Sequence, residues 1–208
     1  HADDDALLSS GEPGQQLTWM DARVDGVVVT PRAGKPVEVQ ALWHNALRTV
    51  ALYAADLGDA FTAARLLALA DQARESFGAL FWDEKVGHLA DVVSPDGIRD
   101  LSFRPNQLLA LSLHRPLLTG RRAERVLRTV EERLLTPYGL RTLDPAHPDY
   151  RGRFEGGPAE RDAAYHQGTV WPWLLGPLVD AHLAVRGNTP ESRRTASAWL
   201  APLVEHLF

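Results

Sequence analysis

Six segments between Pro36 and Leu207 repeat apolar residues at helical spacing. Leu42, Ala46, Val50, Ala54 and Leu57 predict a first helix. Ala63, Leu66, Leu67, Ala70, Ala73 and Phe77 predict a second from about Asp59 to Ala79. Pro105 opens a short third helix whose Leu108, Leu109, Leu111 and Leu113 point nearly all round. The fourth, Arg121 to Leu135, is amphipathic through Ala123, Val126, Leu127, Val130 and Leu134. The fifth, Thr169 to Val185, is apolar on most sides. Thr189 caps a sixth with Pro190 at its first position, a strong start signal, and its stripe is Ala196, Trp199, Leu200, Leu203 and Leu207.

The six helices fall into three hairpins, and in the last two an all-round apolar helix precedes an amphipathic one. A helix apolar on every side must be covered on every side, while an amphipathic one faces water. Such alternation suits an all-α architecture of inner and outer helices, the (α/α)6 toroid, of which this chain would supply about half. Residues 1–34 read as an irregular lead-in with a short strand near Val27 to Val29. Residues 35–208 carry the hairpins, so that residues 1–208 form one partial domain. The inter-hairpin loops, 81–104 and 136–168, are longer than helix connections usually are, and loops of that length are commonly functional. They hold Trp82, Phe103, Tyr150, Phe154 and Tyr165, and they would build a cleft at one end of the helices.

Composition narrows the partners. A net charge of -5 gives no basic surface for nucleic acid or an anionic membrane. The chain has no cysteine, so disulfides and thiolate metal sites are excluded. This composition is compatible with a cytoplasmic setting. The longest apolar stretch, Trp171 to Val179, is too short to span a bilayer. No histidine pair has metal-ligand spacing and no Gly-rich phosphate loop is present, so no metal and no cofactor are expected. A neutral, polyhydroxylated ligand fits best.

Two constellations carry the chemistry. In LTWMDARVDGVVVTPRAGKPVEVQALWHNAL, residues 17–47, Asp21 follows Trp19 in a non-helical segment. An indole face can hold a sugar ring, and low polarity beside it would raise a carboxyl pKa until it donates a proton. Asp21 also reads as an ordinary loop aspartate. Glu38 begins the first helix, where the helix dipole alone would favour it. Together with Asn45 and Thr49 it lies on a stripe that otherwise looks inward. In RDAAYHQGTVWPWLLGP, residues 161–177, Asp162, Tyr165, His166 and Gln167 stand before an apolar helix, with Trp171 and Trp173 close behind. Hydrogen-bonding groups beside indoles suit a carbohydrate, although tryptophans at such positions also serve as core.

LTWMDARV, VVTPRAGKPVEVQALWHNAL and RDAAYHQGTVWPWLLGPL together resemble the C-terminal region of bacterial amylo-α-1,6-glucosidases, the glycogen debranching enzymes. FWDEKVGHLADVV and FRPNQLLALSL are similar to that family's intervening segments, and the likeness spans roughly residues 9–180. The resemblance implies an (α/α)6 barrel and inverting hydrolysis of α-1,6-glucosidic branch stubs in glycogen-type glucans. It implies Asp21 as general acid, with Trp19, Arg32, Glu38, Asn45, Asn106, Asp162, Tyr165, His166, Gln167, Trp171 and Trp173 as sugar contacts. An inverting site also needs a water-activating carboxylate about 6.5–9.5 Å from the acid. The family carries helices before the TWMD motif and a Ser-Glu-Ile-Phe-Asp-Gly-like stretch after the region matched here, and the latter is the expected base. Within this chain Glu38, Glu160 and Asp162 are weak alternatives. The expected partners are a glucan or oligosaccharide and the missing half of the barrel. Two other readings stand beside this one: another toroid glycosidase, trehalase-like or acting on glucosylglycerate, and a non-catalytic glycan-binding module. The glycosidase reading predicts that Trp19, Asp21, Glu38, Tyr165, His166 and Trp171 converge at one end of the helices.

Overall fold

The architecture is that of a computed structural model describing residues 1–12, 14–15 and 17–207. About half of the chain is α-helical. The helices are α1 (Val37–Asp56), α2 (Ala60–Phe81), α3 (Leu109–Ser112), α4 (Gly120–Arg133), α5 (Pro158–Ala164), α6 (Leu175–Arg186) and α7 (Pro190–His206). Helices α1 and α2 form a long hairpin, α3 lies between α1 and α6, and α6 packs on α4 and α7. Asp59 accepts from the backbone N–H of Thr62 to start α2, and Thr189 accepts from Ser192 to start α7, so both helix starts are fixed by local side-chain chemistry. Phe77, Phe81, Leu108, Leu111, Leu127, Leu174 and Leu178 meet in one apolar core between these helices.

The loops contain more strand than an all-helical reading provides for. Among the described residues ten strands of two or three residues make four small antiparallel sheets: β1 (Arg23–Val24) with β2 (Val27–Val28), β4 (Trp82–Asp83) with β5 (His88–Leu89), β6 (Val92–Val93) between β3 (Lys35–Pro36) and β7 (Arg99–Asp100), and β9 (Gly139–Arg141) between β8 (Leu135–Thr136) and β10 (Val170–Trp171). Asp25 (φ 49°) and Gly26 (φ 78°) turn β1 into β2, the left-handed pair that a two-residue hairpin requires. At Gly34 (φ +114°) a Cβ would lie 2.2 Å from the Val93 carbonyl oxygen, so only glycine lets the strand before α1 approach β6.

Three sequence expectations need correction. In α1 the stripe Leu42, Ala46 and Val50 faces outward, as does Leu57 just past its end, and the buried side is Val37, Ala41, His44, Leu47, Ala51 and Ala54. The helix is apolar on two sides, and periodicity cannot say which side a neighbour covers. The 136–168 connection contains α5, a short helix begun by Pro158. The fifth predicted helix starts six residues late, because Trp171 precedes Pro172 and is held extended (φ -119°, ψ 120°), which lets residues 170–171 join β9 instead. Among the described residues no helix is long and apolar enough to cross a membrane.

Candidate functional site

The lead-in and the 158–174 segment meet because α5 packs against β1. Trp19, Met20 and Asp21 precede β1, while Tyr165, His166 and Gln167 follow α5, so both constellations share one wall. Met20 is fully buried, Trp19 is half-buried, and Asp21 is exposed in an open cleft of about 340 Å³ lined also by Gln15, Leu17 and Arg23. The low-polarity surroundings expected around Asp21 are therefore not formed by its described neighbours. The indole of Trp19 turns inward, and the carboxylate two residues later points to the open side.

Aromatic rings define the wall. Trp19 meets His166 edge-on at 5.1 Å between ring centroids and Trp173 at 4.9 Å. Tyr165 meets His166 and Trp171, each at 4.7 Å, and Phe154 lies 5.6 Å from Tyr165. Trp171 donates its indole N–H to the Tyr165 carbonyl at 3.0 Å, which ties β10 to the end of α5. Trp173 and Phe154 are each 47% exposed and leave ring faces open at the two ends of this row. Five residues of the sequence-derived set, Trp19, Tyr165, His166, Trp171 and Trp173, are thus brought together, with Asp21 beside them.

His166 is buried, and its Nδ1 has no hydrogen-bond partner among the described residues. Burial lowers its pKa from the ordinary 6.5 to about 4, with the Asp21 carboxylate acting in the opposite direction. The imidazole is therefore neutral at pH 7. The unfolded chain takes up this proton near pH 6.5 and the native chain only near pH 4, so stability is full above about 6.5 and falls as the pH drops toward about 4. Urea unfolding over that range should show a shallower fall for His166→Gln than for the wild type. An unchanged slope would place the proton uptake elsewhere, for instance at His44 or His88, which burial shifts in the same direction.

Beneath the wall lies a buried ionic cluster. Arg32 donates through both terminal nitrogens to Glu38, through Nε to Asp91 Oδ2 at 2.8 Å, and to the Asp91 carbonyl at 3.0 Å. The Arg104 Nε lies 3.7 Å from Asp91 Oδ2, while its terminal nitrogens donate to the carbonyls of Thr142 and His166 and to Gln167 Oε1 at 2.6 Å. Asn106 donates to Asp91 Oδ1 at 2.8 Å and accepts the Trp19 indole N–H at 2.8 Å. Two arginines face two carboxylates, so the cluster is neutral as a whole. Burial opposes charge on Arg32, but Asp91 and Glu38 outweigh it and hold the guanidinium above its ordinary range.

Four of the expected sugar contacts, one of them also a possible base, fall in this cluster. Arg32, Glu38, Asn106 and Gln167 are buried, and their polar atoms bond to other protein groups: Arg32 to Glu38 and Asp91, Asn106 to Asp91 and Trp19, and Gln167 to Arg104 and the Val29 carbonyl. Both Glu38 oxygens are engaged by Arg32. Asn45 accepts the backbone N–H of Arg115 at 3.1 Å and braces α1 against the segment after α3. Polar residues on an inward stripe need partners, and here the protein supplies them. Glu160 is exposed in the first turn of α5 and Asp162 is half-buried on the same helix. Sequence reading missed Asp91 and Arg104. Their signal was a charge set among apolar residues in LADVV and FRPNQ, since such residues are rarely buried unless paired. Among the described residues no group of three His, Asp or Glu is arranged to hold a metal ion.

The amylo-alpha-1,6-glucosidase family matches residues 1–208. The chain belongs to that family. A glycogen debranching enzyme of Saccharomyces cerevisiae (strain ATCC 204508 / S288c) is 35% identical over 88 residues, which is 39% of this chain and 6% of the yeast protein. A GH78 family rhamnosidase of Bacillus sp. GL1 superposes with a TM-score of 0.50 at 23% identity, over 63% of this chain and 13% of the rhamnosidase chain. At that identity the likeness speaks for fold alone. The chain thus spans a small fraction of the length of each relative, and it is a helical, glycoside-hydrolase-type domain.

Proposed function

We propose that this chain carries the acid side of an α-1,6-glucosidase site acting on glycogen-type glucans. The observation that carries the reading is an exposed carboxylate, Asp21, two residues from Trp19 and near enough to His166 to act on its charge, in an open cleft beside the aromatic wall. In the reaction Asp21 protonates the glycosidic oxygen as the bond from C1 to that oxygen breaks. A water molecule attacks C1 from the opposite face and gives its proton to a second carboxylate, and the anomeric centre inverts. Trp173 and Phe154 offer open ring faces for stacking, with Trp19, Tyr165, His166 and Trp171 packed behind them. With Glu38 occupied by Arg32, the second carboxylate is either Glu160 or Asp162 on α5, or it comes from polypeptide outside these residues.

The toroid belongs to the same proposal. The row α1, α3 and α6 forms an inner arc, with α2, α4 and α7 outside it. Tyr53 on α1 with Leu57 just after it, and Leu200 and Val204 on α7 with Leu207 just after it, are exposed, as flanks of an arc that the remaining helices of the ring would cover. The setting is proposed to be cytoplasmic. A full-length protein carrying this chain should release glucose from limit dextrin and not from trehalose, with the β-anomer appearing first by proton NMR. Release from trehalose alone, or the α-anomer first, would count against the reading. The 208-residue chain by itself should self-associate on size exclusion and show no turnover. Turnover by a monomer would assign the base to Glu160 or Asp162.

A further inference from the structure

Both segments of the candidate site hang on one buried carboxylate that the proposed chemistry does not use. Asp91 is held by β6, whose pairing with β3 sets it under the start of α1, where Val37 donates its backbone N–H to the Asp91 carbonyl at 3.0 Å. From there Asp91 reaches Trp19 through Asn106, and it faces Arg104, which grips the His166 carbonyl at 2.7 Å and the Gln167 side chain. We propose that Asp91 is a positioning residue that sets the spacing of Trp19 and His166, acting through Asn106 on one side and Arg104 on the other. The inference rests on the glycosidase reading above for its effect on turnover, but not for the relay itself.

The relay has a fixed polarity. An ionised carboxylate only accepts and an indole only donates, so Asn106 must turn Nδ2 to Asp91 and Oδ1 to Trp19. In Asp91→Asn the side chain keeps its shape, and its remaining oxygen stays with Arg32, which only donates. Its new amide N–H then faces the Asn106 amide N–H. Relieving that clash turns Asn106 over and sets its N–H against the Trp19 indole. The exchange Asp91→Asn with Asn106→Asp restores the order: the amide at 91 donates to the carboxylate at 106, which accepts from the indole. The charge stays within the cluster. Asn106→Leu breaks the relay without altering any charge.

The test uses the full-length protein carrying this chain, with limit dextrin turnover and hydrogen exchange of the Trp19 indole N–H by nitrogen-15 NMR. Asp91→Asn and Asn106→Leu should each lower kcat about 10- to 100-fold, the loss expected when reacting groups shift by roughly an ångström. KM should stay close to wild type, and the indole N–H should lose protection. The double exchange should recover most of both. A residue that only stabilised the fold would lower the melting temperature without this pattern of loss and recovery. Wild-type kcat and an unchanged indole in Asn106→Leu would overturn the proposal, and so would a double exchange no better than Asp91→Asn. If Asp91→Asn does not fold, Asn106→Leu and the double exchange still decide. A wild type inactive on limit dextrin would sink the glycosidase reading, while the indole exchange pattern would still decide the relay.

Discussion

Asp21→Asn, in the full-length protein carrying this chain, should lose about 10²–10⁴-fold in hydrolysis of branch stubs, the usual worth of a general acid. Asparagine keeps the shape of the side chain but has no acidic proton to give. Glucan binding should hardly change, because the aromatic wall stays in place and Asp21 itself is exposed at the side of it. A substrate whose leaving group needs no protonation, such as a glucosyl fluoride, should be hydrolysed by the variant far better than a branched glucan. A variant that kept most of its turnover on branched glucan would place the acid elsewhere. Loss of binding together with loss of turnover would make Asp21 a binding group instead.

The second large effect falls on the ionic cluster. Arg32→Met should destabilise the protein by about 3–5 kcal/mol, the range for a buried ion pair broken from one side. Methionine fills much of the space left by the guanidinium stem. It cannot satisfy Glu38, whose hydrogen-bond partners both come from Arg32, and it leaves Asp91 with only Asn106 and the more distant Arg104. The variant Arg32→Met with Glu38→Gln should recover part of the loss, because the unpaired charge is gone. A urea midpoint shift at constant slope measures both. A loss under about 1 kcal/mol for the single change would mean that the cluster is worth no more than a surface pair.

The two effects separate the roles of the polar residues around the site. Asp21 is accessible, and its loss acts on turnover. Arg32, Glu38, Asp91 and Arg104 are buried, and their loss acts first on stability and on the placement of the rings above them. The sequence alone could not draw that line. A carboxylate near a tryptophan and a carboxylate near an arginine look alike in one dimension. Whether each meets solvent or a guanidinium depends on which strands pair.

What the sequence by itself determined are the features set by neighbours along the chain. Thr189 and Pro190 marked the start of α7, Asp59 that of α2 and Pro105 that of the short helix leading into α3, because caps and prolines act within one turn. The clustering of Tyr165, His166, Trp171 and Trp173 was legible for the same reason: they lie within nine residues of one another. Tertiary structure decided the rest. It chose which apolar side of α1 to cover, since both sides satisfy helical period and only the contacts of α2 and α3 distinguish them. Pairing of β9 with β10 overrode the helical pattern at residues 169–174, where Pro172 already opposed a helix. Pairing of β3 with β6 brought Asp91, 59 residues away in sequence, onto Arg32, and with it built the ionic frame beneath the site. Long-range strand pairs and buried charge pairs leave no local period, and for that reason the helices were readable along the chain while the frame of the site was not.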